Sequence, residues 1–272
     1  MGYLTTEKKK VTVKTFVEMK RDGNKIAMLT AYDYTTARLI DEAGVDSILV
    51  GDSASNVMLG NDSTLPITLD EMIVYARGVA RGCQRALVVC DMPFGTYQVS
   101  PEEGVRNAVR LIRETGVDAV KLEGGEEVAP TIERMVNAGI PVVGHLGLTP
   151  QSIHKFGGYG VRARSEVEAT KLIADAQALE KAGCFAVVLE KIPASVAQQV
   201  TDLLSVPTIG IGAGSHCDGQ VLVYADAMGL TQGFEPKFLR EFAAMGEELH
   251  RGVRAYCEAV KGDEFPNESE SY

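Results

Sequence analysis

Polar and acidic side chains recur at one kind of position in this chain, directly behind an apolar run. Ser47–Val50 is followed by Gly51-Asp52-Ser53, Leu87–Cys90 by Asp91, and Ala119-Val120 by Lys121-Leu122-Glu123. Phe185–Leu189 ends on Glu190, and Pro141–Gly144 leads to His145. Turn chemistry accounts for one such Asp, since Gly, Asp and Ser all favour turns. It accounts poorly for a series. Two carboxylates about 4 Å apart repel by roughly 4 kcal/mol at an effective dielectric near 20. If Asp52, Asp91 and Glu123 converge, they need shared protons or a counter-charge. Lys121 offsets one charge; a hard divalent cation offsets two, and an all-oxygen donor set points to magnesium or manganese rather than zinc. The competing reading pairs these acids with arginines or uses them to cap helices, and spacing alone leaves both open.

Glu190 is a different case. An acid that closes a buried apolar strand is costly to ionise, so its pKa should rise, which suits a general base near neutral pH. The alternative is a salt bridge to Lys191, made awkward because adjacent strand residues point to opposite faces. His145 is either a hydrogen-bonding site residue or a satisfied core histidine. The glycines of "GIGAG" (Gly210, Gly212 and Gly214) serve either a phosphate or a close backbone approach; with no Lys or Arg following closely, close approach is favoured.

These residues need elements that bring them together. Eight apolar runs are strand candidates: Lys25–Asp33, Ser47–Ser53, Ala86–Pro93, Ala119–Gly125, Pro141–Pro150, Phe185–Pro193, Val206–Gly214 and Gly219–Gly229. They end near Asp33, Asp52-Ser53, Asp91, Lys121 and Glu123, His145, Glu190, the "GIGAG" glycines and Asp226. Helical patterns separate most of them, and Gly44, Gly116, Gly139 and Gly183 stand where helices should stop. Continuous apolar strand cores fit parallel strands covered on both faces. The expectation is an α/β fold, a (β/α)8 barrel whose C-terminal strand ends carry the site. An open doubly wound sheet is the alternative, disfavoured because no glycine-rich fingerprint follows the first strand. A helix over "TVKTFVEMKRDG" should plug the barrel bottom, and Pro236–Lys261 should be helical. The reading is a single domain over 1–272, with a mobile tail from about 262.

The chain has 272 residues and a formal net charge of −10. That excludes a basic nucleic-acid footprint and argues against anionic membranes. Lys8-Lys9-Lys10 reads as a solvated tail. Five widely spaced cysteines with no CxxC pair suggest neither a disulfide framework nor a zinc site, and Cys90 and Cys184 read as buried small hydrophobes. No signal-peptide core or membrane-length run is present, so the cytoplasm is the expected compartment.

The ordered series "MLTAYDY", "LVGDS", "DSTLPITLDEM", "DMPF", "VKLEGG", "GHLGLTPQS", "VLE", "IGIGAG" and "DGQVLVY" resembles the ketopantoate (3-methyl-2-oxobutanoate) hydroxymethyltransferase family over nearly the whole chain. The resemblance implies a TIM barrel of the phosphoenolpyruvate/pyruvate type, assembled as a homodecamer of two pentameric rings. It implies an enzyme that moves a hydroxymethyl group from 5,10-methylenetetrahydrofolate to 3-methyl-2-oxobutanoate, giving 2-dehydropantoate and tetrahydrofolate, the first committed step towards pantothenate and coenzyme A. By motif, Asp52, Asp91 and Glu123 match a magnesium site with one ion per subunit, Asp91 and Glu123 acting partly through waters. Asp52, Ser53, Asp91 and Lys121 match the groups that hold the keto acid, and His145 a pocket histidine near the hydroxymethyl group. Glu190 matches the general base, with the enolate stabilised by the metal and Lys121. Two loops depart from the family's usual pattern: Ala54-Ser55-Asn56 stands for Leu-Gly-Met, and "GGYGVRAR" (157–164) for "GGYKVQGR". Other readings are a metal-dependent lyase or aldolase on the same barrel, acting on pyruvate-like acids, and a scaffold barrel without activity.

Overall fold

Every apolar run read from the sequence contains a strand in the computed structural model, which describes residues 9–233 and 235–272. The strands are β1 Ile26–Thr30, β2 Ser47–Val50, β3 Leu87–Asp91, β4 Ala119–Glu123, β5 Val142–Gly147, β6 Ala186–Glu190, β7 Thr208–Ile211 and β8 Gly219–Leu222. All neighbours run parallel and β8 pairs back onto β1, which closes the barrel. Between the strands lie helices α2 Tyr34–Ala43, α3 Ala54–Val57, α4 Leu69–Gly82, α5 Pro101–Thr115, α6 Ala129–Asn137, α7 Ile153–Phe156, α8 Glu166–Lys181 and α9 Ala194–Leu203, with α1 Val13–Arg21 preceding β1.

The helix boundaries follow capping chemistry. Thr68 and Glu71 form a capping box at the start of α4, and Ser100 caps α5 ahead of Pro101. Gly44 and Gly116 end α2 and α5 with left-handed backbone at φ 97° and 81°.

Two expected strand-end acids have other places. β1 stops at Thr30, and Asp33 instead caps α2, its Oδ1 accepting from Thr36 N at 2.9 Å. β8 stops at Leu222, and Asp226 lies in a helical turn, α10 Tyr224–Ala227.

The barrel bottom is apolar. Phe16 of α1 is buried and meets Phe185 edge to face with centroids 5.8 Å apart. Around them pack Val11, Met28, Leu49, Val89, Ala119, Val143, Val188, Ile209 and Val221. α1 thus plugs the barrel, as its spacing predicted. Lys10 is not a solvated tail residue: its ammonium donates to Asp118 Oδ2 and Ala86 O, each at 2.8 Å. Lys8 lies outside the described residues.

All five cysteines are free, and Cys90 and Cys184 are buried; burial pushes the Cys184 thiol up to about 12. Among the described residues no helix is long and apolar enough to cross a membrane.

The chain divides into two compact units, the first ending at Leu222 and the second spanning Val223–Tyr272. The second holds α10 and α11 Met245–Lys261; residues 236–244 are not helical, so the helix read over 236–261 begins later than expected. Tyr256 stacks edge-on against Phe265, and Glu268–Glu270 forms a short 3-10 turn.

Candidate active site

Period-two alternation builds the site. Residues two apart on a strand share a face, so Val89 places Asp91, Ala119 places Lys121 and Glu123, Val143 places His145, and Val188 places Glu190 above the apolar plug. The ladder fixes their heights: Asp91 pairs with Lys121, Glu123 with His145, and Gly147 with Glu190. Gly147 must be glycine: its φ is 94°, and a Cβ there would stand 2.2 Å from Glu190 O.

Asp52, Asp91, Lys121, Glu123 and His145 are all buried. Lys121 Nζ lies 2.9 Å from Asp91 Oδ1 and 3.1 Å from His145 Nδ1. Asp91 Oδ2 accepts from Asp52 N at 2.9 Å. Glu123 Oε1 is 3.3 Å from His145 Nδ1, and Glu190 Oε2 is 3.2 Å from His145 Nε2. An ammonium can only donate, so the Lys121 contact puts the imidazole proton on Nε2, on the side of Glu190, where no well-aligned hydrogen bond joins it to that carboxylate. Ser53 stands beside the group, its Oγ 2.8 Å from Tyr32 OH. The structure therefore brings Asp52, Ser53, Asp91, Lys121, Glu123, His145 and Glu190 together at one end of the barrel. It also draws in two that were passed over, Gln151 and Tyr97. The Gln151 amide donates to Asp52 Oδ2 at 2.9 Å, and Tyr97 OH lies 2.8 Å from Gln151 Oε1.

Charge follows burial. Burial, then the charges of Asp91 and Glu123, hold the Asp52 carboxyl well above the usual carboxylate range, against the pull of Lys121 and Gln151. Burial raises Glu123 to about 7, opposed by Lys121 and the Gln151 backbone N–H. For Lys121 burial works against the charge, but Asp91, Glu123 and Asp52 outweigh it and hold the ammonium firmly protonated. Burial, with Lys121 nearby, lowers His145 and keeps it neutral, consistent with the tautomer above.

Glu190 is not fully enclosed: 17 % of its side chain is exposed, and it pairs with His145 rather than Lys191. Lys191 turns away on left-handed backbone, φ 49°, and its ammonium donates to Tyr159 O at 2.5 Å. That tie belongs to the departing loop 157–164, where Arg162 lies over the Phe156 ring at 4.2 Å and its N–H donates to Lys191 O. The other departure is also self-tied: Ser55 Oγ donates to Ser63 O and accepts from Asn61 Nδ2, while Asn56 Nδ2 donates to Asn61 O. In "GIGAG" the close-approach reading has a direct counterpart, since a Cβ on Gly214 would stand 2.5 Å from Ala194 Cβ.

The donor set fits a hard cation. Asp91 Oδ1 is buried beside the ammonium yet receives no well-aligned hydrogen bond. Among the described residues no three His, Cys, Asp or Glu side chains form a ready cage. A magnesium-type ion needs none, because it keeps several waters and takes one or two carboxylates plus substrate oxygens. Asp52 and Asp91, side by side and oxygen-only, suit that demand.

The pattern of one family, ketopantoate hydroxymethyltransferase, matches residues 10–268. The chain belongs to that family. It is, on that membership, an enzyme of the transferase class. It is 60% identical over 266 residues, 98% of this chain and 97% of the relative, to a 3-methyl-2-oxobutanoate hydroxymethyltransferase of Parabacteroides distasonis. It is 58% identical to the Flavobacterium johnsoniae protein of the same name, over 97% of each chain. Among solved structures it is similar to 2,3-dimethylmalate lyase, a member of the PEP mutase/isocitrate lyase superfamily, with TM-score 0.58 and 17% identity over 96% of this chain and 91% of that one. That likeness concerns the fold alone, and it agrees with the closed eight-stranded barrel.

Proposed function

We propose that this member of the ketopantoate hydroxymethyltransferase family transfers a hydroxymethyl group from 5,10-methylenetetrahydrofolate to 3-methyl-2-oxobutanoate, giving 2-dehydropantoate and tetrahydrofolate. The observation that carries the reading is the convergence of Glu190, paired to a neutral His145, with Asp52, Asp91, Glu123 and one charged Lys121 at a single barrel mouth. The names of the relatives, at 58–60% identity over almost the full chain, support the substrate.

In this reading Asp52, Asp91 and Glu123 would hold a magnesium ion, one per subunit. The ion supplies Lewis-acid polarisation of the keto group. Lys121 donates to the keto oxygen and to the negative charge that develops on it. Ser53, held by Tyr32, and the backbone N–H groups beside it fix the substrate carboxylate. Glu190 is reached from the mouth and takes the C3 proton. His145, with Nε2 3.2 Å from Glu190 Oε2, helps keep that carboxylate aimed, and it stands near the place of the new hydroxymethyl group. Water releases the folate's methylene as formaldehyde and leaves tetrahydrofolate; the carbanion equivalent then attacks the formaldehyde carbon, and the resulting alkoxide takes back the proton held by Glu190 to become the new hydroxyl. Assembly as a homodecamer and a place in the cytoplasm belong to the same reading; an assembly mass checks the first.

The test is exchange of the C3 proton of 3-methyl-2-oxobutanoate in D2O, followed by NMR with pyruvate as internal competitor. Exchange of the branched acid alone, lost with EDTA and with Glu190→Gln, is expected. Preferential exchange of pyruvate would transfer the chemistry to another keto acid and overturn the substrate.

A further inference from the structure

Gln151 reaches the acids twice, from one residue. Its backbone N–H donates to Glu123 Oε2 at 2.9 Å. Its side-chain amide donates to Asp52 Oδ2 at 2.9 Å and to Met92 O at 3.0 Å. The amide's orientation is set from behind: Oε1 accepts from Tyr97 OH at 2.8 Å and from Gln98 Nε2 at 3.1 Å. Reversing the amide would set its carbonyl against two acceptors, Asp52 Oδ2 and Met92 O, and its NH2 against the Gln98 NH2, so the orientation shown is the one that satisfies the network. Tyr97 OH in turn accepts from Glu123 N at 3.1 Å, which closes a ring through Tyr97, Gln151 and Glu123. Gln151 and Tyr97 are both buried, where an unmade hydrogen bond costs the most.

Among the described residues no cation stands on Asp52 as Lys121 stands on Asp91. The Asp52 Oδ2 is fixed by Gln151, and its placement relative to Glu123 is fixed by the same residue. We infer that Gln151 is a positioning residue that sets Asp52 and Glu123 at the separation needed to bind a divalent cation, with Tyr97 holding the Gln151 amide in its donating orientation. The inference rests on the function proposed above, in which these acids serve the cation.

The test uses Mn2+ as the probe, with free Mn2+ read by electron paramagnetic resonance, on the full chain at one pH and without substrate. Gln151→Met keeps the length and removes the amide; Tyr97→Phe keeps the ring and removes the hydroxyl. Partners behind metal ligands typically change affinity by about 10–100-fold, so that loss is expected for Gln151→Met. Tyr97→Phe should weaken Mn2+ by about twofold to tenfold, as for one neutral hydrogen bond. A lower melting temperature in EDTA with unchanged Mn2+ affinity is the signature of packing alone and overturns the inference. If Gln151→Met does not fold, Tyr97→Phe decides, and an unmoved affinity overturns it. Wild-type protein that binds no Mn2+ overturns the functional reading and this inference with it; a binding wild type with an unmoved variant overturns this inference alone.

Discussion

Acids flank the barrel strands at both ends, and the two sets are treated in opposite ways. Before the strands stand Asp46, Asp118 and Asp218. Each accepts a backbone N–H from the neighbouring strand or its start, from Ala27, Val88 and Thr208 respectively. Each also has its own cation, at 2.9, 2.8 and 2.9 Å: Arg85, Lys10 and Lys20. At the C-terminal ends of the strands, Asp52, Asp91 and Glu123 are buried around one lysine. The same residue type therefore closes the fold at one end and loads it with uncompensated charge at the other. Natural folds keep such frustration where chemistry needs it. The lower end is built for stability and the upper end for function, and substitutions should separate along that line.

The largest effect is expected at the upper end. Glu190→Gln should slow C3 proton exchange by about 10²–10⁴-fold, the range for loss of a general base, while the thermal melt barely moves. Phe16→Ala breaks the lower end and should cost about 3–5 kcal/mol in urea unfolding. At a temperature where the variant stays folded, its exchange rate should match wild type within about twofold, since α1 lies below the apolar layer. A large loss of exchange in Phe16→Ala would blur the division. The smallest of these effects is expected from Lys20→Met, which removes a largely buried ion pair and a bond to Thr201 O and should cost about 1–3 kcal/mol, Asp218 keeping its N–H donor from Thr208.

How much of this was legible follows from what carried the signal. The eight strands announced themselves because parallel strands are apolar on both faces and glycines stop the helices between them. Asp91, Lys121, Glu123, His145 and Glu190 were legible because a strand's period of two forces residues above an apolar layer into the barrel. Asp33 and Asp226 misled because a capping acid and an acid in a short helical turn look, in sequence, like a strand-end acid. Lys10 was read as a tail because its partner Asp118 is 108 residues away. The Lys191 alternative for Glu190 failed on backbone conformation, which turns that side chain to Tyr159. Gln151 gave no sign: it lies in a single 3-10 turn, Pro150–Ser152, after β5, and its meaning arises only when Asp52, 99 residues away, packs against it.

The most direct test sets Asp52→Asn against Asp218→Asn, both melted in EDTA. The Asp52 carboxyl is raised in the fold, so the unfolded chain gives up that proton first. The resulting penalty grows as pH climbs above the unfolded carboxylate range near ~4 and is complete above the folded value. Asn carries no such penalty. At pH 7.5 Asp52→Asn should therefore melt above wild type, by about 1–2 kcal/mol of stability, with the difference closing towards pH 4, and it should lose keto acid exchange. Asp218→Asn should melt below wild type and keep exchange. If Asp52→Asn instead melts below wild type at pH 7.5, the upper acids stabilise the fold as the lower ones do, and the division between the two ends is wrong.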